Sequence, residues 1–287
     1  KQIVKIKYNK NIYKFETKLI GKIQIKNILM AMIAATKSGL SIKKIINTAD
    51  NLKPVSGRLE QIGVTRNNSK IILDYAHTPD ALKMSLRSLR EQFKNRNISI
   101  VFGCGGDRDK TKRQIMGKIA NQYCNRIYLT NDNPRYENPK IIIASIKKSI
   151  NKCKICEISN RASAIKKAIL DLKTGGILIV AGKGHETIQE YKKVKKLFSD
   201  KKEILKSIKI KNKTLSSNFK LNILKELSNS NNISSKLEVN NASINSKEIK
   251  KNNIFFAIKG KNKNGNLYIK EALNKGASLV VINNKKN

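Results

Sequence analysis

Tryptophan is missing from this sequence, histidine occurs twice, proline and cysteine four times each, and aromatics make up 5% of the 287 residues. Each shortage excludes something. With so few rings there is little for exposed bases to stack on. The net charge of +40, from 60 Lys and Arg against 20 Asp and Glu, is read as a Lys, Asn and Ile compositional bias, because the lysines are scattered rather than gathered into one stripe. No nucleic-acid partner is expected. His77 and His185 lie far apart without thiol support, so both are read as hydrogen-bonding loop residues and no metal site is expected. No apolar run reaches the roughly 18 residues of a membrane-spanning helix. The start "KQIVKIKYNK" has neither the apolar core of a signal peptide nor an initiator Met. The expectation is a cytoplasmic chain that begins in mid-protein; its oligomeric state is left open.

Cys104, Cys124, Cys153 and Cys156 are too few for a disulfide framework in a chain of this length. "CKIC" is a C-x-x-C without a second pair. Its Cys156 falls in a predicted strand, "KICEI", rather than at a helix start where a thiol is acidified. All four are read as buried thiols in a reducing compartment.

What is present is a regular alternation of short β-rich runs with helical ones between about residues 70 and 206. "KIILD" is followed by Thr78-Pro79-Asp80, an N-cap with proline at the first helical position, then by Leu82, Leu86, Leu89 and Phe93 at helical spacing. "ISIVF" leads through a glycine loop to Ile115, Ile119 and Tyr123. "RIYLT" leads to a second start, Asn138-Pro139, and to Ile142, Ile146 and Ile150. "KICEI" precedes Ala162, Ile165, Ile169 and Leu172, and "GGILIVAG" precedes "KGHETIQEY", read as a helix that Glu186 begins. The fold class expected is α/β, a Rossmann-like, mostly parallel sheet covered on both faces.

Five strands then end in five polar loops: "DYAHTPD" (74–80), "GCGGDRD" (103–109), "NDNPR" (131–135), "SNR" (159–161) and "GKGHE" (182–186). In an open parallel sheet these gather at one edge, where such folds bind ligands. Asp132, Asn133, Pro134 and Arg135 make one wall there. Arg offers a planar fork to a carboxylate or phosphate, Asp accepts from an ammonium, and Asn does either, so a zwitterionic amino acid is the ligand class that uses all three. The competing reading is a proline turn with an Arg–Asp surface pair. Arg108, between two acids, is either a structural bridge or a second anion clamp. Glu186 is either a first-turn acid favoured by the helix dipole or a partner for a substrate ammonium. The glycine loop is neither G-x-G-x-x-G nor a phosphate loop.

The ordered series "GRLE", "ILDYAHTPDAL", "VFGCGGDRDKTKR", "TNDNPRYENP", "AGKGHETIQ" and "FSDKKE" resembles the carboxy-terminal domain of Mur ligases over residues 57–209. The resemblance implies an ATP-dependent ligase that forms an amide bond in peptidoglycan precursors. Asp-Asn-Pro-Arg is the form carried by members that use meso-2,6-diaminopimelate rather than lysine. It further implies that Arg108, Asp132, Asn133, Pro134, Arg135, Gly182 and Glu186 hold that amino acid, and that Arg58, Asp74 and His77 face ATP. Residues 1–55 resemble the end of the family's central ATPase domain, with Asn27 matching an ATP-facing position and Gln24 standing where Asn is usual. The phosphate loop, the Mg²⁺ ligands and the carbamylated lysine would then lie upstream of Lys1. No catalytic residue is expected within the chain, and alone it should not hydrolyse ATP.

By the same resemblance residues 56–210 are the amino-acid-binding domain, and the substrates are UDP-N-acetylmuramoyl-dipeptide, meso-diaminopimelate and ATP. The γ-carboxylate of the D-glutamate would be activated as an acyl phosphate and attacked by the incoming amine, with domain closure about residues 54–57. Ser- and Asn-rich residues 211–232 read as a linker. Residues 233–287, patterned strand, turn, helix, strand, resemble the start of the amino-terminal domain of the Mur ligase that adds D-alanyl-D-alanine. Ser246 and Lys247 are there the UDP-sugar-binding candidates, although Lys247 stands where Arg is common, and Asn264 and Asn266 where Asp and His are common. The order of the pieces implies a bifunctional fusion. Rival readings are a generic small α/β appendage for the tail, a lysine-adding ligase, a non-catalytic basic module for nucleic acid or anionic surfaces, and a folded interaction module.

Overall fold

The chain enters through an antiparallel hairpin, β1 (Gln2–Tyr8) and β2 (Asn11–Thr17), in the computed structural model, which describes residues 2–217, 239, 241–260 and 263–282. Its turn residues Asn9 and Lys10 both have positive φ, 46° and 63°, the twist a two-residue hairpin requires. Helices α1 (Lys22–Lys37) and α2 (Ile42–Ala49) follow; Ser41 caps α2 by accepting from the Lys44 N–H at 3.3 Å. Val4, Phe15, Leu19, Ile28, Met32 and Ala49 form a small core between hairpin and helices.

The central sheet contains β3 (Glu60–Val64), β4 (Lys70–Asp74), β5 (Ile98–Phe102), β6 (Arg126–Leu129), β7 (Lys154–Glu157) and β8 (Ile177–Ala181) in the order β3-β4-β8-β5-β6-β7. All pairs are parallel except β3 with β4. Side chains alternate between faces along each strand. Ile72, Ile100, Phe102 and Ile179 meet helices α3 (Pro79–Gln92), α4 (Lys112–Tyr123) and α5 (Pro139–Lys147). Leu73, Val101, Tyr128 and Val180 meet α6 (Arg161–Leu170) and α7 (Asp200–Ser217) on the other face. Burial on both faces is why these strands read as continuous apolar runs. Thr78, Asn138 and Asn160 cap α3, α5 and α6 through their side chains. The expected doubly covered α/β sheet is therefore present.

Three details differ from the sequence reading. In α4 the inward residues are Met116, Ile119 and Ala120, and Ile115 is 49% exposed, one step off the stripe. "KGHETIQEY" is no helix: it leads into a hairpin of β9 (Ile188–Tyr191) and β10 (Val194–Leu197), so Glu186 lies in a loop. Long-range backbone bonding decides this, for the Arg135 N–H donates to the Glu190 carbonyl and the Lys192 N–H to that of Arg135, at 3.2 and 2.8 Å. Finally, α7 continues to Ser217, into the stretch read as linker, while residues 218–232 lie outside the described residues.

The chain divides into two compact units, Lys1–Lys211 and Asn212–Asn287, so position 55/56 falls inside the first. The second unit contains a parallel sheet, β11 (Asn241–Ser243), β12 (Asn253–Ala257) and β13 (Ala277–Ile282), with α8 (Ile269–Asn274) packed through Ala272 against Phe255 and Ala257. Of its expected span, residues 233–238, 240, 261–262 and 283–287 lie outside the described residues. Among the described residues no helix is long and apolar enough to cross a membrane.

Candidate functional site

The loops after β4, β5, β6 and β8 line a cavity of about 490 Å³ at the carboxyl edge of the sheet. Arg108, Asp132, Asn133, Arg135, Gly182 and Glu186 all line it. Pro134 does not. It is buried, its carbonyl accepts from the Glu137 N–H at 3.1 Å, and it shapes the loop rather than facing the space.

Arg135 adopts φ 50° and donates from Nε to Glu190 Oε2 at 3.1 Å and from Nη1 to the Gly106 carbonyl at 2.8 Å. The surface pair between Arg135 and Asp132 is not formed. Asp132 instead lies against Gly182, whose φ is 112° and where a Cβ would come within 2.7 Å of Asp132 Oδ2. Only glycine fits that backbone and that approach. Burial raises the Asp132 carboxyl above the ordinary carboxylate range, against the opposing pull of Arg161 and Lys183.

In the Asp107–Asp109 segment Arg108 forms no bridge to its neighbours. Asp107 Oδ2 accepts from the Tyr136 N–H at 3.1 Å, and Asp109 Oδ1 accepts from the Thr111 N–H and hydroxyl at 2.8 and 2.6 Å. Both acids bond within the loop, and exposed Arg108 lines the cavity beside Asp109 without an ion pair to either acid. The loop is pinned from below: buried Arg113 donates to both Glu137 oxygens at 3.0 and 2.8 Å, and Glu137 Oε1 accepts from the Asp107 N–H at 2.6 Å.

Several residues that organise this pocket carried no assigned role in the sequence. Lys183, fully buried, bonds Asn133 and Glu186. Arg161, the first residue of α6, is paired with Asp200, the first of α7. Glu190 holds Arg135, and Gln189 Nε2 donates to the Asp132 carbonyl at 2.7 Å. The legible signal was a lysine between two glycines directly after an all-apolar strand, a place where its side chain has little solvent to reach.

A second cavity, also about 490 Å³, is lined by Asn27, Arg58 and Asp74 together with Gln24, Ser85 and apolar Ile23, Val55, Leu59, Ala76, Ala81 and Met84. His77 is not among them. The chain turns between Ala76 and Thr78, so that His77 lines the first cavity, its Nδ1 2.9 Å from the Tyr75 carbonyl. Tyr75 lines the first cavity too and carries Arg58 over its ring at 4.5 Å. His185 is 5.2 Å from the same ring. Asp74 Oδ1 accepts from the Leu59 and Tyr75 N–H groups at 3.1 and 3.0 Å, and the Ser85 hydroxyl donates to Oδ2. Burial raises this carboxyl, with those bonds opposing.

Among the described residues no group of three or more His, Cys, Asp or Glu side chains is arranged to hold a metal ion. All four cysteines are free. Cys104 and Cys124 are buried, and burial pushes Cys104 up to about 12, away from nucleophilic chemistry. Cys153 and Cys156 are half-buried rather than buried. In the second unit Ser246 is buried, with its hydroxyl donating to Glu271 Oε2 at 2.9 Å, and Lys247 is exposed.

A parallel sheet with a mixed-charge cavity at its carboxyl edge defines an α/β domain built to take a small polar ligand. Residues 57–184 match the family "Mur ligase, glutamate ligase domain", and this stretch of the chain is a Mur ligase domain. Members of that family are ATP-dependent ligases that form amide bonds. The chain is 42% identical over 210 residues to the UDP-N-acetylmuramoyl-L-alanyl-D-glutamate--2,6-diaminopimelate ligase of Rickettsia rickettsii, a match spanning 73% of this chain and 43% of that protein. A solved structure of a ligase with the same name is 34% identical with a TM-score of 0.58, over 72% of this chain and 42% of the other. The MurF ligase of Thermotoga maritima, solved in complex with ADP, shares the fold at 15% identity and a TM-score of 0.52, over 74% of this chain and 44% of that one. The chain thus spans under half the length of the relatives it matches.

Proposed function

We propose that the chain is the amino-acid-accepting part of a cytoplasmic peptidoglycan-precursor ligase that uses ATP to add meso-2,6-diaminopimelate to UDP-N-acetylmuramoyl-L-alanyl-D-glutamate. The observation that carries this reading is the first cavity, where the guanidinium groups of Arg108 and Arg135 and the carboxylates of Asp132 and Glu186 surround one space. A ligand with an ammonium and a carboxylate at one end satisfies both kinds of group. The similarity to ligases named for 2,6-diaminopimelate supports the same ligand.

In this reading the chain's part in catalysis is orientation. Holding the distal carboxylate and ammonium aims the other amine at the acyl phosphate of the D-glutamate, which it attacks through a tetrahedral intermediate with release of phosphate. Asn27, Arg58 and Asp74 serve the nucleotide in the second cavity, whose apolar sides suit a flat ring. The ADP bound to the Thermotoga relative supports that use. His77 is reassigned to the amino-acid side. Mg²⁺ would shield phosphate charge. Residues 1–55 are the end of an ATPase domain that closes about 54–57. The tail from 233 begins a D-alanyl-D-alanine-adding partner fused through the linker, with Ser246 and Lys247 near its UDP-sugar.

Calorimetric titration with meso-diaminopimelate and L-lysine tests the reading. Selective binding of diaminopimelate, lost in Arg108→Gln and Arg135→Gln, is expected. A folded chain that binds both equally, or neither, removes it.

A further inference from the structure

Lys183 sits between Gly182 and Gly184, directly after the fully buried strand β8, and none of its side chain reaches solvent. A buried ammonium must find partners. This one donates to Asn133 Oδ1 at 3.0 Å and to Glu186 Oε2 at 2.8 Å. The Glu190 backbone N–H donates to the same Asn133 oxygen, also at 3.0 Å. An ammonium and a backbone N–H are donors only, so the amide atom they share has to be the carbonyl. The NH₂ end is thereby turned toward Glu186, to which it donates at 3.3 Å, and toward the cavity that both residues line. Asparagine in general either donates or accepts. Asn133, with its oxygen doubly engaged, offers a ligand only donors.

We infer that Lys183 is a positioning residue of the amino-acid cavity: by holding Asn133 as a donor and pairing with Glu186, it makes the pocket favour an amino acid that carries a second carboxylate. The ligand's identity in this statement rests on the function proposed above; the orientation of the amide does not. Two effects act together. The fixed NH₂ is complementary to a carboxylate oxygen, and the Lys183 charge offsets Glu186, which otherwise repels that carboxylate. An amino acid with only an ammonium at that end gains from neither. Removing Lys183 therefore lowers selectivity, whereas loss of a purely structural lysine weakens all ligands alike.

The test uses Lys183→Met and Lys183→Gln in the whole chain, with two readouts. Without ligand, the side-chain amide pair of Asn133 in a proton–nitrogen correlation spectrum, identified by its disappearance in Asn133→Asp, should shift and broaden in Lys183→Met and be largely kept in Lys183→Gln, which retains a donor. An unchanged Asn133 pair in folded Lys183→Met overturns the inference. With ligand, the ratio of diaminopimelate to L-lysine affinity should fall about tenfold in Lys183→Met, the scale of one charge-assisted bond. Equal loss for both amino acids overturns the selectivity role. If the unaltered chain binds neither, the functional reading falls, and the amide spectrum still decides the positioning role. Should Lys183→Met not fold, Lys183→Met with Glu186→Gln removes the stranded carboxylate and carries the same spectral test.

Discussion

Arg161 and Asp200 form a two-bond ion pair closed to solvent, Nε to Oδ1 at 2.8 Å and Nη2 to Oδ2 at 2.7 Å, with neither side chain exposed. The same guanidinium donates from Nη2 to the Ala181 carbonyl at 2.9 Å, and its Nη1 lies 3.9 Å from Asp132 Oδ2 without a hydrogen-bond partner. The pair thus joins the starts of α6 and α7 beneath the loop that carries Gly182. Burial works against the Arg161 charge, and Asp200 together with Asp132 and Glu186 outweighs it, so its pKa lies above the ordinary value.

Replacing one partner strands the other. Asp200→Ala leaves the buried Arg161 charge with only the more distant Asp132 facing it, at 3.9 Å, and should cost about 3–5 kcal/mol in denaturant unfolding. Arg161→Met combined with Asp200→Leu should recover most of that loss. A single variant as stable as the unaltered chain would show that water reaches the guanidinium.

Asp132 is held as a buried carboxyl beside Gly182. Its folded pKa is raised above the ordinary 3.8, so its contribution to stability is present below that value and is lost as pH rises through the folded pKa. Near neutrality its carboxylate is a net cost. Asp132→Asn should therefore raise the unfolding temperature at neutral pH, flatten its decline from the acid side and abolish amino-acid binding. Thermal melts across pH check this; a variant less stable at neutrality means that Arg161 and Lys183 outweigh burial.

Gly182→Ala places a methyl 2.7 Å from Asp132 Oδ2 on a backbone with φ 112°. The strain should cost about 1–3 kcal/mol. Since Asp132 is the atom group displaced, binding of diaminopimelate should fall more than binding of ADP. Equal loss for both ligands would place the strain elsewhere.

Glu137 contributes in the opposite pH sense to Asp132. Its hydrogen bonds from Arg113 hold its carboxyl below the ordinary 4.5, so the contribution is present above that value and is lost as pH falls through the folded pKa. Glu137→Ala leaves Arg113, 2% exposed, without its counter-charge, at a cost of about 3–5 kcal/mol. It also frees the Asp107 N–H, whose hydrogen exchange should accelerate ahead of global unfolding. Unchanged exchange at Asp107 would mean that the Arg108 loop is held by other contacts.

Much of this architecture is legible locally. The strand "KIILD" and the Thr78-Pro79 helix start need only the residues on the page, because a buried strand and a capped first turn are set by neighbours in sequence. The edge position of Arg108, Asp132, Asn133, Arg135 and Gly182 follows from strand–loop alternation. "KGHETIQEY" was misread as helical because its partner is the backbone of Arg135, and His77 lines a different cavity from Asp74 because one residue of loop separates the two spaces.

The amino-acid sequence by itself determined the doubly covered parallel sheet and the set of polar residues at its carboxyl edge, since periodicity and capping act over a few residues. Only the tertiary structure decided that the Asn133 amide turns its NH₂ toward the cavity, that Arg108 and Asp109 both line it without pairing, and that Lys183 and Arg161 support the pocket from beneath. Those outcomes depend on hydrogen-bond direction and desolvation imposed by distant groups, 50 residues away for Lys183 and Asn133 and 39 for Arg161 and Asp200. No local pattern specifies a partner that only folding brings within reach.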